Sequence, residues 1–191
     1  MADVKKSPLL KNGIRIFRPA EFRLFINAIP KIEYKDKVEA LLYSGARYNE
    51  MRWLYENKKA FKDETYIEMP SNKPKARHKV RIITLNNQGR RAVSMFLRGK
   101  KNLPTHIAFD ENYNRWAIKA GLDPAGISVK STRKTWECWL CKAYPQNWLQ
   151  IFLSQGHTEK VSMEYYTMLP FTDDELKDIL YFTEGWIKNE K

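Results

Sequence analysis

The sequence predicts a mainly α-helical fold carrying one small antiparallel β-hairpin or sheet, an α+β arrangement. Apolar residues recur at helical spacing along most of the chain, and only between Glu64 and Leu85 does the pattern change to alternating β-branched residues. Hydrophobic residues make up 43% of the 191 positions and aromatics 13%, with six Trp, enough for one compact core and too much for a disordered chain.

Residues 1–17 are basic and contain Pro8 and Gly13, and they read as an arm or linker remnant. A helix is predicted from Pro19, a residue suited to a first helical position. Phe22, Phe25, Ile26 and Ile29 follow at helical spacing until Pro30 stops it. Further helices are expected over about 34–43, ending at Gly45, and over about 47–57, where Met51, Leu54 and Tyr55 share one side. TYIEM and KVRIITL alternate in polarity around PSNKPKARH, which predicts a β-hairpin with a long basic loop. Helical spacing returns at about 87–98, 110–121, 131–143, 146–154 and 158–166. The last helix opens on Thr172 and Glu175 as a capping box. Residues 18–170 are expected to form one domain, and 171–191 a terminal helix that packs in cis or on a neighbouring subunit.

The formal charge is +12, which favours a polyanionic partner. Its distribution is uneven. Ten Lys or Arg and no acid lie between Pro70 and Ala108, whereas Thr158–Lys191 holds eight acids and four bases. The polyanion is therefore expected to meet the middle of the chain. No apolar run spans a bilayer and MADVKKSPLLKNG lacks the apolar core of a signal peptide, so a cytoplasmic protein without membrane contact is expected. Cys138 and Cys141 are the only cysteines, and with no second Cys or His pair to complete a metal site they read as two small helix residues. No phosphate-binding or dinucleotide Gly-rich loop occurs, so neither a cofactor nor a metal is expected.

Breaking a phosphodiester without a metal requires cations at the non-bridging oxygens, a nucleophile, and an acid for the departing oxygen. Four segments supply such groups in order: LLYSGARYNEMRWL, the basic hairpin, ISVKSTRKTWECWL and LSQGHTEKVSMEYYT. Together they resemble the tyrosine recombinases (integrases). That family shows an arginine after a Thr-Gly-like turn with a Glu three residues on, a hairpin lysine, a His-x-x-Arg motif, a Leu-Gly-His motif and a tyrosine about nine residues later. The resemblance runs from roughly Pro19 to Tyr166 and implies the catalytic-domain fold of that family.

Carried over by position, the resemblance makes Arg47 the first catalytic arginine with Glu50 as its buttress, and Arg133 the second. Lys130 stands where the family has histidine, a departure that leaves a phosphate donor but puts the proton acceptor in doubt. His157 falls in the Gly-His motif. Tyr166 is the nucleophile, favoured over Tyr165 by its spacing from His157 and by the Thr that follows. The general acid is Lys73 or, counting back from the second strand, Lys75. Lys75, Arg77, Lys79, Arg90, Arg91, Lys100 and Lys101 are assigned to DNA contact.

The implied activity is metal-free and ATP-free site-specific recombination through a 3′-phosphotyrosyl link, performed by a tetramer on two double-stranded DNA sites and by a chain that is monomeric when free. The lysine at 130 and the aromatic-rich sequence suggest integrases of archaeal viruses and plasmids, and so viral genome integration. Only about 18 residues precede the first helix, where the family usually carries a DNA-clamping domain, so the chain reads as a catalytic fragment or an unusually short enzyme. Two other readings remain open: a DNA-binding module of the same fold without turnover, and a nicking and sealing activity like that of type IB topoisomerases.

Overall fold

The structure is a computed structural model that describes residues 7–70, 80–156 and 168–187. It opens with a hairpin that the sequence reading did not anticipate, β1 (Leu9–Lys11) paired antiparallel with β2 (Ile14–Ile16). Asn12 and Gly13 make the turn, with φ of 51° and 72°, the left-handed backbone that Asn-Gly supplies to two-residue hairpins. Among the described residues there are thus two small sheets where one was expected. Residues 9–11 and 14–16 of the stretch read as an arm are strands, and β2 packs on the helix over Val129–Ala143.

Three helices follow: α1 (Pro19–Ala28), α2 (Ile32–Ser44) and α3 (Tyr48–Glu56). A three-stranded antiparallel sheet comes next, formed by β3 (Phe61–Lys62), β4 (Tyr66–Pro70) and β5 (Val80–Thr84) in that spatial order. Register pairs Ile67 with Ile83 and Met69 with Arg81. These four point inward, while Val80 and Ile82 stand exposed on the other face.

The remaining helices are α4 (Asn87–Arg98), α5 (His106–Lys119), α6 (Val129–Ala143), α7 (Trp148–Gln155) and α8 (Asp173–Thr183). The expected helix over 158–166 lies outside the described residues. Helices α2, α5 and α6 start earlier than apolar spacing predicts, and at α5 and α6 polar caps set the start. Thr105 Oγ1 accepts from the Ala108 N–H at 3.3 Å to begin α5. Ser128 and Ser131 cap each other's backbone to begin α6.

Helix α6 is the core element, packed against β2, α2, α5, α7 and α8. Trp136, Trp139, Cys138 and Cys141 are all buried in it, and burial pushes the Cys141 thiol up to about 12. The C-x-x-C pair is therefore protonated core packing at neutral pH. The Trp139 indole N–H donates to the Phe17 carbonyl at 3.1 Å, and Thr135 Oγ1 accepts the Phe17 N–H at 2.9 Å, which locks the N-terminal hairpin to α6.

Helix α8 packs in cis on α1 and α6. Its Thr172 and Glu175 form the predicted capping box, with the Thr172 N–H donating to Glu175 Oε2 at 2.8 Å. Glu175 also pairs with Arg18 at 2.9 Å, and Asp178 holds both terminal nitrogens of Arg23 at 2.7 Å. Among the described residues no helix is long and apolar enough to cross a membrane.

Candidate functional site

The turn between α2 and α3 is built by Ser44-Gly45-Ala46. Ser44 Oγ donates back to the Ala40 carbonyl at 2.6 Å and accepts the Ala46 N–H at 3.1 Å. Gly45 ends α2 with φ of 57°, and a Cβ there would overlap the buried Gln155 amide, so this position requires glycine twice over. The turn delivers Arg47 as the residue capping α3. Three residues on, Glu50 Oε2 reaches back to accept the Arg47 N–H at 2.6 Å, while Glu50 Oε1 accepts from Arg47 Nη1 at 2.8 Å.

Glu50 is the electrostatic centre of the site. Its side chain is 4% exposed, and it holds a second arginine: Arg81 Nη1 and Nη2 donate to its two oxygens at 2.8 Å each. Burial pushes the Glu50 carboxyl up, but the charge and fork of Arg81, joined by the Arg47 N–H and guanidinium, outweigh it and hold the carboxyl below its ordinary range.

Arg133 projects from α6, on the same face as Lys130 one turn earlier. Its Nη1 donates to the Gly45 carbonyl and its Nη2 to the Gln155 carbonyl at the end of α7. One guanidinium therefore joins the Arg47 turn to the end of the helix that precedes residue 157. Desolvation first, then the charges of Arg47 and Arg81, bring the Arg133 guanidinium down to about 10. It remains charged at neutral pH, with the carboxylates of Glu137 and Glu50 favouring its charged form.

Arg47, Glu50, Lys130 and Arg133 line one cavity of about 460 Å³ together with His106 and Lys134. The Arg47 side chain is 47% exposed there, so it is open to a ligand. The N-terminus of α6, which carries Lys130, is fixed by Asp110: one carboxylate oxygen accepts the Val129 N–H at 2.7 Å and the other lies 3.0 Å from His106 Nδ1. Four cations, Arg47, Lys130, Arg133 and Lys134, around this pocket suit a tetrahedral oxyanion such as a phosphodiester.

The structure thus brings Arg47, Glu50, Lys130 and Arg133 together. Tyr166, His157, Lys73, Lys75, Arg77 and Lys79 lie outside the described residues. Arg90, Arg91, Lys100 and Lys101 do not line the cavity. Arg91 stands beside Asp36 and Glu39 of α2, and Arg90 beside Tyr144, Tyr181 and Glu184.

Sequence reasoning missed Arg81 and His106. For Arg81 a signal existed, because it shares strand parity with Ile83 and Leu85 and so belongs to the inward face of KVRIITL. Nothing local marks His106.

No protein-family model and no curated protein matches the sequence. Solved structures do match in three dimensions. XerA recombinase superposes with a TM-score of 0.63 at 17% identity, covering 94% of this chain and 67% of its own. The Tn1549 transposon integrase in complex with circular intermediate DNA gives 0.63 at 17%, covering 94% and 68%. XerH site-specific recombinase bound to difH substrate gives 0.60 at 15%, covering 86% and 51%. This is the tyrosine-recombinase fold. In that fold the chain is mainly helical with small antiparallel sheets, as its sequence predicts.

Proposed function

We propose that the protein is a DNA strand-exchange enzyme, a site-specific recombinase or integrase working through a 3′-phosphotyrosyl intermediate. The observation that carries this reading is the convergence of Arg47, Lys130 and Arg133 on one cavity, with Arg47 and Arg133 tied to the same turn. Structures of the same fold bound to circular intermediate DNA and to difH support double-stranded DNA as the partner.

In the proposed reaction Tyr166 gives up its phenolic proton to solvent and attacks the scissile phosphorus. The bond to the tyrosine oxygen forms and the bond to the 5′-oxygen breaks. Arg47, Arg133, Lys130 and His157 hold the non-bridging oxygens, and Lys73 or Lys75 gives the departing oxygen its proton. A 5′-hydroxyl from a second duplex reverses the step, so one phosphodiester replaces another and no ATP is consumed. Assembly into a tetramer on two sites belongs to this proposal. So does the division into an N-terminal segment over 1–17, a catalytic unit over 18–170 and a terminal helix over 171–191.

The test is a pool of nicked duplexes of random sequence, in which loss of a short fragment traps any covalent intermediate. Wild type is expected to give denaturation-resistant protein–DNA adducts, Tyr166→Phe none, and Arg133→Ala a yield reduced by about 10² or more, the scale of losing one oxyanion donor. Sequencing the trapped DNA supplies the target for the next step. Transfer of the held strand to a second duplex supports recombination, whereas resealing of the original duplex alone contradicts it. Adduct formation by Tyr166→Phe overturns the mechanism.

A further inference from the structure

Arg81 is held at both terminal nitrogens by Glu50, a residue that lines the cavity, yet Arg81 itself does not line it. Both terminal nitrogens are committed to Glu50, its side chain is 13% exposed, and its guanidinium rests where a Cβ on Gly156 would sit, with 2.6 Å between that Cβ and Nη1. Gly156 leaves that space open and ends α7 with φ of 68°.

Both Glu50 oxygens are shared by two arginines. Oε1 accepts from Arg47 Nη1 and Arg81 Nη1; Oε2 accepts from the Arg47 N–H and Arg81 Nη2. Arg47 alone beside a buried carboxylate would be a neutral pair with little attraction for an anion. The Arg81 fork supplies the second positive charge, so the three groups together keep one unit of positive charge. Because Arg81 is buried and committed, that surplus is presented on the half-exposed Arg47.

We propose that Arg81 is a positioning residue for phosphate recognition: its fork neutralises and immobilises Glu50, which leaves the Arg47 side chain fixed and cationic at the cavity. This rests on the reading that the cavity binds a phosphodiester. Arg81 then acts on the reaction without touching DNA, from a strand that neither arginine motif contains.

The experiment compares wild type, Arg81→Met, Arg81→Lys, Glu50→Gln and the double variant Arg81→Met/Glu50→Gln, each checked for folding by circular dichroism. Binding of inorganic phosphate is measured by calorimetry, and binding of a random-sequence duplex by its dependence on salt. Arg81→Met should weaken phosphate binding about tenfold, the scale set by an uncompensated neighbouring charge. Adding Glu50→Gln should restore at least half of that loss on a logarithmic scale, because the carboxylate that quenched Arg47 is gone. A packing role predicts the opposite, a double variant no better than the single one.

The slope of log affinity against log salt should fall by up to about 0.9 in Arg81→Met, the share of the one phosphate contact that Arg47 makes, and should recover in the double variant. Should Arg81→Met fail to fold, Arg81→Lys, which keeps the charge and loses the fork, is expected to fall between wild type and the tenfold loss. Phosphate binding unchanged in the folded Arg81 variant, or absence of rescue by Glu50→Gln in phosphate binding or in the salt slope, overturns the inference. The phosphate arm reads independently of strand cleavage. A wild type that forms no adduct but follows the rescue pattern contradicts the proposed reaction and sustains the role of Arg81.

Discussion

Glu50 shows how one buried residue organises its surroundings, and its ionisation gives a test in acid. Its carboxyl is held below the ordinary range in the folded protein, so its stabilisation is present above the unfolded carboxyl range near pH 4.3 and is lost as pH falls through the lower folded value. The melting-temperature gap between wild type and Glu50→Gln should be constant from pH 7 to 5 and narrow as pH falls below about 4. Gly45 offers a second test at this scale. Gly13→Ala, at φ 72° in open space, should cost only the left-handed strain of about 1–2 kcal/mol. Gly45→Ala also drives a methyl into the Gln155 amide and should lower the melting temperature further. Arg47, Glu50, Lys130 and Arg133 were legible in the sequence because each sits in a short local motif. Arg81 was not, since what defines it is a pairing across 31 residues of sequence with Glu50, and His106 reaches the cavity only through the packing of α5 on α6.

Elements were legible to the extent that their determinants are local. The 87–98 helix matches its apolar spacing end to end, and the Thr172–Glu175 box marks the start of α8. The β1–β2 hairpin was overlooked although Asn12-Gly13 between LLK and IRI is a strong turn signal, because three-residue strands carry too little alternation to register as strands. What holds α8 in place is predicted from burial. The Arg18–Glu175 pair has side chains 10% and 11% exposed, so Glu175→Ala should cost about 3–5 kcal/mol. Asp178→Ala breaks a pair that is 44% and 36% exposed and should cost about 1 kcal/mol or less, screened by salt. Thermal denaturation resolves the two, at roughly 2–4 °C per kcal/mol for a chain of this size.

At the scale of the molecule, the described cations of the basic stretch, over 80–108, do not share one surface. Arg81 turns inward to Glu50, Arg98 pairs with Glu64 at 3.5 Å, and Arg91 stands beside Asp36 and Glu39. The cations that line the cavity come from separate segments, Arg47 after α2 and Lys130 and Arg133 on α6. Motif order was more informative than overall similarity, since structures of the same fold share only 15–17% identity with this chain. The central claim is that these cations serve a tyrosine on the segment after α7. Digesting the trapped adduct with trypsin gives a peptide running from Val161 to Lys177 that contains both Tyr165 and Tyr166. Fragmentation mass spectrometry of that peptide is predicted to place the nucleotide phosphate on Tyr166. A phosphate on Tyr165, on any other residue, or no modified peptide at all would contradict the account.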